Sequence, residues 1–136
     1  MTKPKRSLEE RVTTAAQAAL EEKKYVSPID ILIGIGWLQP GQVLDWRRRR
    51  VLCLESVVQT NLHRITMAMK IFHDWAERKG LVPSRTAYLA RTRGPKVELR
   101  FSKSGNPAIE ERYRTHYISP EISPKKRDNL REKPCQ

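Results

Sequence analysis

Six apolar residues, Val58, Leu62, Ile65, Met69, Phe72 and Ala76, recur at alternating steps of four and three through the middle of the chain. That spacing keeps them on one face of an α-helix and scatters them over both faces of a strand. It predicts a long central helix over 54–79, ended by Gly80. Gln59, His63, Arg64, Lys70, Asp74, Glu77 and Arg78 form its polar remainder. A helix of this kind must have its apolar stripe covered. The cover is either the rest of the chain or another molecule, because about three heptads of such a stripe also suit a helical partner or a homodimer.

The N-terminal third offers a cover. Ser7-Leu8-Glu9-Glu10 reads as a capping box that opens a helix over 8–23, with Leu8, Val12, Ala15, Ala16, Ala19 and Leu20 on one face. Ser27 and Pro28 read as the N-cap and first residue of a short second helix to about Ile33, stopped by Gly34 and Gly36. Pro40 opens a third helix, through Val43, Leu44 and Trp46 into Arg47-Arg48-Arg49-Arg50. Past Pro83 the period shortens to two. Residues 86–91 alternate, Val97, Leu99 and Phe101 share one side, and Thr92-Arg93-Gly94-Pro95-Lys96 between them is turn-forming, which predicts a β-hairpin with a basic tip. Asn106 and Pro107 start a short helix through Tyr113, and Thr115–Ile118 reads as a further strand.

The expected fold is therefore mainly α with a small β-hairpin (α+β). It forms one domain over 7–120: a three-helix unit at 7–50, the long helix at 54–79 and a hairpin unit at 86–118. Residues 1–6 read as a disordered basic tail and 121–136 as a flexible charged one.

Charge narrows the function more than the fold does. The 136 residues carry 27 Lys and Arg against 15 Asp and Glu, a net +12. Residues 47–103 alone hold 14 of those basic side chains and only 4 acidic ones. The excess thus belongs to the body of the fold and predicts a basic surface that attracts phosphate-bearing partners. The expected function is non-enzymatic nucleic-acid (polyanion) binding. Phosphates would meet Arg47, Arg48, Arg49 and Arg50 together with Arg91, Arg93, Lys96, Arg100 and Lys103. At least one arginine of the run must lay its stem on the core side while its head snorkels outward. The second and third helices outline a helix-turn-helix, which makes Gln42 the base-reading residue. Tyr88 is the candidate for stacking on an unpaired base, whereas Phe101 shares the hairpin's apolar side and reads as core.

Other chemistries find less. The turn Ser102-Lys103-Ser104-Gly105-Asn106-Pro107 precedes a helix start that suits a phosphate, but it lacks the spacing of a nucleotide-binding P-loop. Glu110, Glu111, Arg112, Tyr113, Arg114, His116 and Tyr117 are the densest set for acid–base work and point to a metal-independent phosphodiesterase centred on His116 as a minor alternative. His63 and His73 stand about 15 Å apart along one helix, so they cannot share a metal, and no cofactor is expected. A protein–protein adaptor using the stripe or Trp75 is the main alternative. Two cysteines, Cys53 and Cys135, set up no disulfide framework, and no apolar run is long enough for a signal or a membrane span. A cytoplasmic protein is expected.

Four stretches, Tyr25-Val26-Ser27-Pro28-Ile29-Asp30, Pro83-Ser84-Arg85-Thr86-Ala87-Tyr88, Leu99-Arg100-Phe101-Ser102-Lys103-Ser104-Gly105 and Tyr113-Arg114-Thr115-His116, resemble an uncharacterised family of small bacterial proteins. The resemblance spans roughly 25–120 and implies a bacterial cytoplasm. It carries over no catalytic or binding residue.

Overall fold

The computed structural model describes residues 7–120. Both tails expected from the sequence lie outside the described residues. The N-terminal helix, α1 (Leu8–Lys23), opens where Ser7 accepts the Glu10 amide through its hydroxyl, at 3.1 Å. The short strand β1 (Tyr25–Val26) follows, then α2 (Pro28–Gly34). At the start of α2 the reciprocal box is complete: the Asp30 N–H donates to Ser27 Oγ at 3.1 Å, and the Ser27 N–H donates to Asp30 Oδ2 at 2.9 Å. Gly34 is required here because a Cβ on it would lie 2.5 Å from that of Ala15, so glycine lets α1 and α2 approach closely.

Helix α3 (Pro40–Arg47) is shorter than the sequence suggested and stops before the arginine run is complete. The central helix also starts late. Residues Leu54–Val57 form a separate 3-10 turn, and α4 runs only over Leu62–Arg78, capped by Asn61, which accepts the Arg64 amide at 2.9 Å. The backbone of 54–59 is committed elsewhere. The Leu54 N–H donates to Arg100 O, that of Glu55 to Phe101 O at 2.9 Å, and that of Gln59 to Trp37 O at 2.8 Å. In a helix opening at 54 the first four amides are free for such partners, but the Gln59 amide would have to bond Glu55 O; given to Trp37, it breaks the ladder.

The stripe is partly an accident of spacing. Val58 is buried but lies outside the helix, while Leu62 is 54% exposed. The buried face of α4 is Ile65, Ala68, Met69, Phe72, Trp75 and Ala76, an ordinary amphipathic face that packs on α1 and α2. Trp75, offered as a partner-meeting residue, is part of the core.

The expected hairpin is the larger correction. Over 86–101 the chain reverses, but only the isolated bridge Leu89–Glu98 forms, flanked by Ala90 N–H to Val97 O at 2.8 Å and Leu99 N–H to Tyr88 O at 2.7 Å. Further pairing is prevented because the Arg100 and Phe101 carbonyls accept the amides of 54 and 55 instead. The sheet is built from three strands: β1, β2 (Val82–Arg85) and β3 (Thr115–Ile118), the last following α5 (Pro107–Arg114) directly. Their order is β1-β3-β2, antiparallel throughout, with Val26 opposite Tyr117 on one side and Ser84 opposite His116 on the other. Pro83 is tolerated because β2 is an edge strand. Both α5, capped by Asn106, and β3 match the sequence expectation. No helix among the described residues is long and apolar enough to cross a membrane.

Candidate nucleic-acid interface

The site is assembled by the C-terminal end of α3. Trp46, fully buried, packs against Phe101 at 4.8 Å between ring centroids and donates its indole N–H to Arg100 O at 2.7 Å. One residue on, Arg47 O accepts the Arg91 N–H at 2.7 Å. These two bonds fasten the start of the arginine run to the loop that carries Arg91, Arg93 and Lys96. Two basic segments some forty residues apart thus meet at Arg47 and Arg91.

The run itself is a helix cap. Arg50 N–H donates to Asp45 O at 2.9 Å and Arg49 N–H to Trp46 O at 3.0 Å, the paired bonds of a Schellman motif. Arg49 occupies the left-handed position with φ of 60°, where glycine is usual. The guanidinium groups therefore do not fan around a helix as the sequence implied. Arg48, Arg49 and Arg50 are exposed on the turn beyond it. Arg47 is half-buried with its Nε enclosed, the one member of the run that lays its stem inward. Asp45 takes part of the charge through an exposed contact of 3.3 Å with Arg50.

A left-handed arginine costs about 1–2 kcal/mol, partly offset because glycine loses more chain entropy on folding. Arg49→Gly is therefore expected to raise stability by about 0.5–1 kcal/mol in urea denaturation while weakening polyanion binding. A variant less stable than the wild type would show that the Arg49 side chain is held by contacts that outweigh the backbone strain.

Not every predicted residue joins this surface. Gln42, the expected base reader, lies at the other end of α3, and its Oε1 accepts the Gln39 N–H at 2.9 Å, so that oxygen caps its own helix. Tyr88 is not a stacking platform: it is 3% exposed, edge-on to Phe101, and its hydroxyl bonds His116 Nε2. Arg100 turns back on its own loop, donating to Ser102 O at 2.7 Å and to Lys103 O. Lys103 is exposed, but its amide belongs to the interior, donating to Glu55 Oε1 at 2.8 Å. Arg91, Arg93 and Lys96 are exposed.

The turn at 102–107 is a plain turn with a capping asparagine, the reading its sequence favours over a phosphate site, and it already holds an anion of its own. Glu110 accepts the amides of Phe101 at 2.9 Å and Ser102 at 2.6 Å and the Ser102 hydroxyl at 2.5 Å, and pairs with Arg114 at 3.2 Å. Glu55, also buried, accepts the Lys103 amide and the Tyr113 hydroxyl, the latter at 2.8 Å. Burial, with the bond to Glu55 acting in the same direction, pushes the Tyr113 hydroxyl well above the usual tyrosine range. Nothing in the sequence marked these two carboxylates as structural. Their only signal is a glutamate one turn into α5 and another in an apolar stretch.

The acid–base set is divided as well. Glu110 serves the turn, and Glu111 meets Arg85 at 2.8 Å on the surface. His116 is buried, stacked on Tyr25 at 5.7 Å and bonded to Tyr88. A group overlooked in the sequence lies on α4, where His73, Asp74 and Glu77 bring ligand-type atoms within 4.8 Å of one another. Both ring nitrogens of that histidine are engaged, Nδ1 with the Tyr117 hydroxyl at 2.5 Å and Nε2 with Glu77 at 3.1 Å. Comparison with protein-family models, curated proteins and solved structures finds no match for this chain.

Proposed function

We propose that this protein binds nucleic acid by meeting phosphates at the surface where the arginine run joins the 91–96 loop. The bond from Arg91 N–H to Arg47 O is the observation that carries this reading. It joins the arginine run to the loop that carries Arg91, Arg93 and Lys96, and Arg48, Arg49, Arg50, Arg91, Arg93 and Lys96 are all exposed. Glu98, the acidic residue of the loop, is paired with Arg85 at 3.1 Å and Arg114 at 3.2 Å. Its charge is thus balanced away from the arginine run.

Binding of this kind must weaken steeply with salt, because each phosphate met releases counterions. The test is a fluorescence-anisotropy titration of a labelled duplex over a range of salt. Wild type is compared with a variant in which Arg48, Arg50, Arg93 and Lys96 are all alanine. All four are exposed, so the fold is expected to survive. The slope of log K against log salt should flatten by about three to four. A wild type that fails to bind at low salt, or a variant with an unchanged slope, overturns the reading.

A further inference from the structure

Within this basic cluster sits the most exposed large apolar side chain among the described residues. Leu52 is 93% exposed, two residues past Arg50. A lone surface leucine is common and by itself means little. Its support is what distinguishes it. On one side the Schellman bonds fix Arg49 and Arg50; on the other Cys53 is buried and the Leu54 N–H donates to Arg100 O at 3.3 Å. Val51 beside it packs on the core. Leu52 is thus held outward by a segment anchored at both ends, two residues after the arginine run.

The remaining surface narrows the ligand. Single strands are gripped by bases stacking on exposed aromatic rings. All nine aromatic residues of the chain lie within 7–120; eight are buried, and the half-buried Tyr25 is already stacked on His116 with Lys23 over its ring. A reader of the major groove presents side chains to bases from a helix or a two-stranded ribbon. Beside Leu52 the helix is α3, while the 86–101 reversal forms only a single bridge. Here α3 buries Val43 and Trp46 and uses the Gln42 oxygen to cap itself. What the surface does present is arginine beside an aliphatic tip. That combination suits the minor groove of a duplex, where arginines follow the phosphates and apolar wedges open a base step.

We infer that the ligand is double-stranded DNA and that Leu52 is a wedge entering its minor groove between two base pairs, with Arg48–Arg50 on the flanking phosphates. This rests on the nucleic-acid reading above. It goes further in naming the duplex and the side chain that deforms it.

The experiment compares wild type, Leu52→Ser and Leu52→Met on a duplex labelled at both ends, reading affinity by anisotropy and bending by energy transfer. Anionic vesicles containing phosphatidylserine form a second arm. Wild type is expected to bind and bend the duplex. Leu52→Ser should lose about tenfold in affinity, the value of burying one leucine, and lose the bend. Its salt slope should stay unchanged, because no phosphate contact is removed. Leu52→Met should keep both properties, since an unbranched apolar side chain also wedges. Salt-dependent duplex binding that Leu52→Ser leaves intact, with no bend, overturns the wedge and spares the nucleic-acid reading. Binding to vesicles but to no duplex overturns both and assigns the cluster to a lipid surface.

Discussion

Glu110→Ala should bring the fold close to unfolding, with an expected loss of about 3–5 kcal/mol in urea denaturation. Total stability for a domain of this size is about 5–15 kcal/mol, so the variant would keep a small margin at best. The carboxylate is buried and accepts from two backbone amides, one hydroxyl and the Arg114 guanidinium. Alanine strands the two amides and leaves the hydroxyl without its acceptor, while Arg114 keeps Leu99 O and Glu98. The cost of orphaned buried donors exceeds the net worth of the bonds themselves. Glu110→Gln separates charge from shape: it keeps one accepting oxygen but turns an NH2 group toward a donor, so it should lose less than alanine while remaining below wild type. A Glu110→Ala protein that unfolds at the wild-type urea concentration would show that the 101–105 turn is held by its bonds to Glu55, Arg100 and the Ser102 hydroxyl without Glu110.

A second large effect concerns acid. Burial holds the His116 imidazole down to about 4, with Asp30 opposing and Lys23 reinforcing the shift. An unfolded histidine titrates near 6.5. Between these values the unfolded chain takes a proton that the folded chain refuses. Stability attributable to His116 is therefore whole above about pH 6.5 and is lost as pH falls toward 4. The loss is on the order of 3 kcal/mol. The measurement is the urea midpoint at pH 7 and pH 4.5 for wild type and His116→Gln, which keeps an acceptor for the Tyr88 hydroxyl. Wild type should lose more stability between the two conditions than the variant does. Equal losses would place the acid sensitivity on carboxylates and show that His116 admits a proton without unfolding.

What the sequence revealed follows from how local each cause is. Helices α1, α2 and α5 were legible because Ser7, Ser27 with Pro28, and Asn106 with Pro107 fix their starts within a few residues. Strand β3 was legible as an extended apolar segment, but its neighbours were not. β1 is two residues long and β2 contains a proline, and both become strands only because β3 supplies the partner amides and carbonyls. The start of α4 was misplaced because burial of Val58 continues the helical period by coincidence. The backbone bond that breaks a helix there runs from Gln59 N–H to Trp37 O. At the candidate site the charges were plain and their joining was not. The Arg91-to-Arg47 bond links segments whose sequence carries no mark of each other. Tyr88 shows the opposite failure: an aromatic in an alternating stretch fits core and surface equally, and only its place beside Trp46, Phe101 and His116 decides.

The placement of β3 between β1 and β2 bears on how the chain is made. A ribosome releases the helices and both outer strands first, and the strand that joins them only after Arg114. Until then the β1 and β2 backbones have no ladder partner, and Phe72 lacks the Tyr117 ring that meets it edge-on at 5.2 Å. Until β3 emerges the sheet cannot form, and both outer strands keep unpaired edges. The sheet closes when the four residues of β3 pair with β2 and two of them, Tyr117 and Ile118, pair also with β1. Folding is thereby tied to the arrival of Thr115–Ile118 rather than to the helices that precede it.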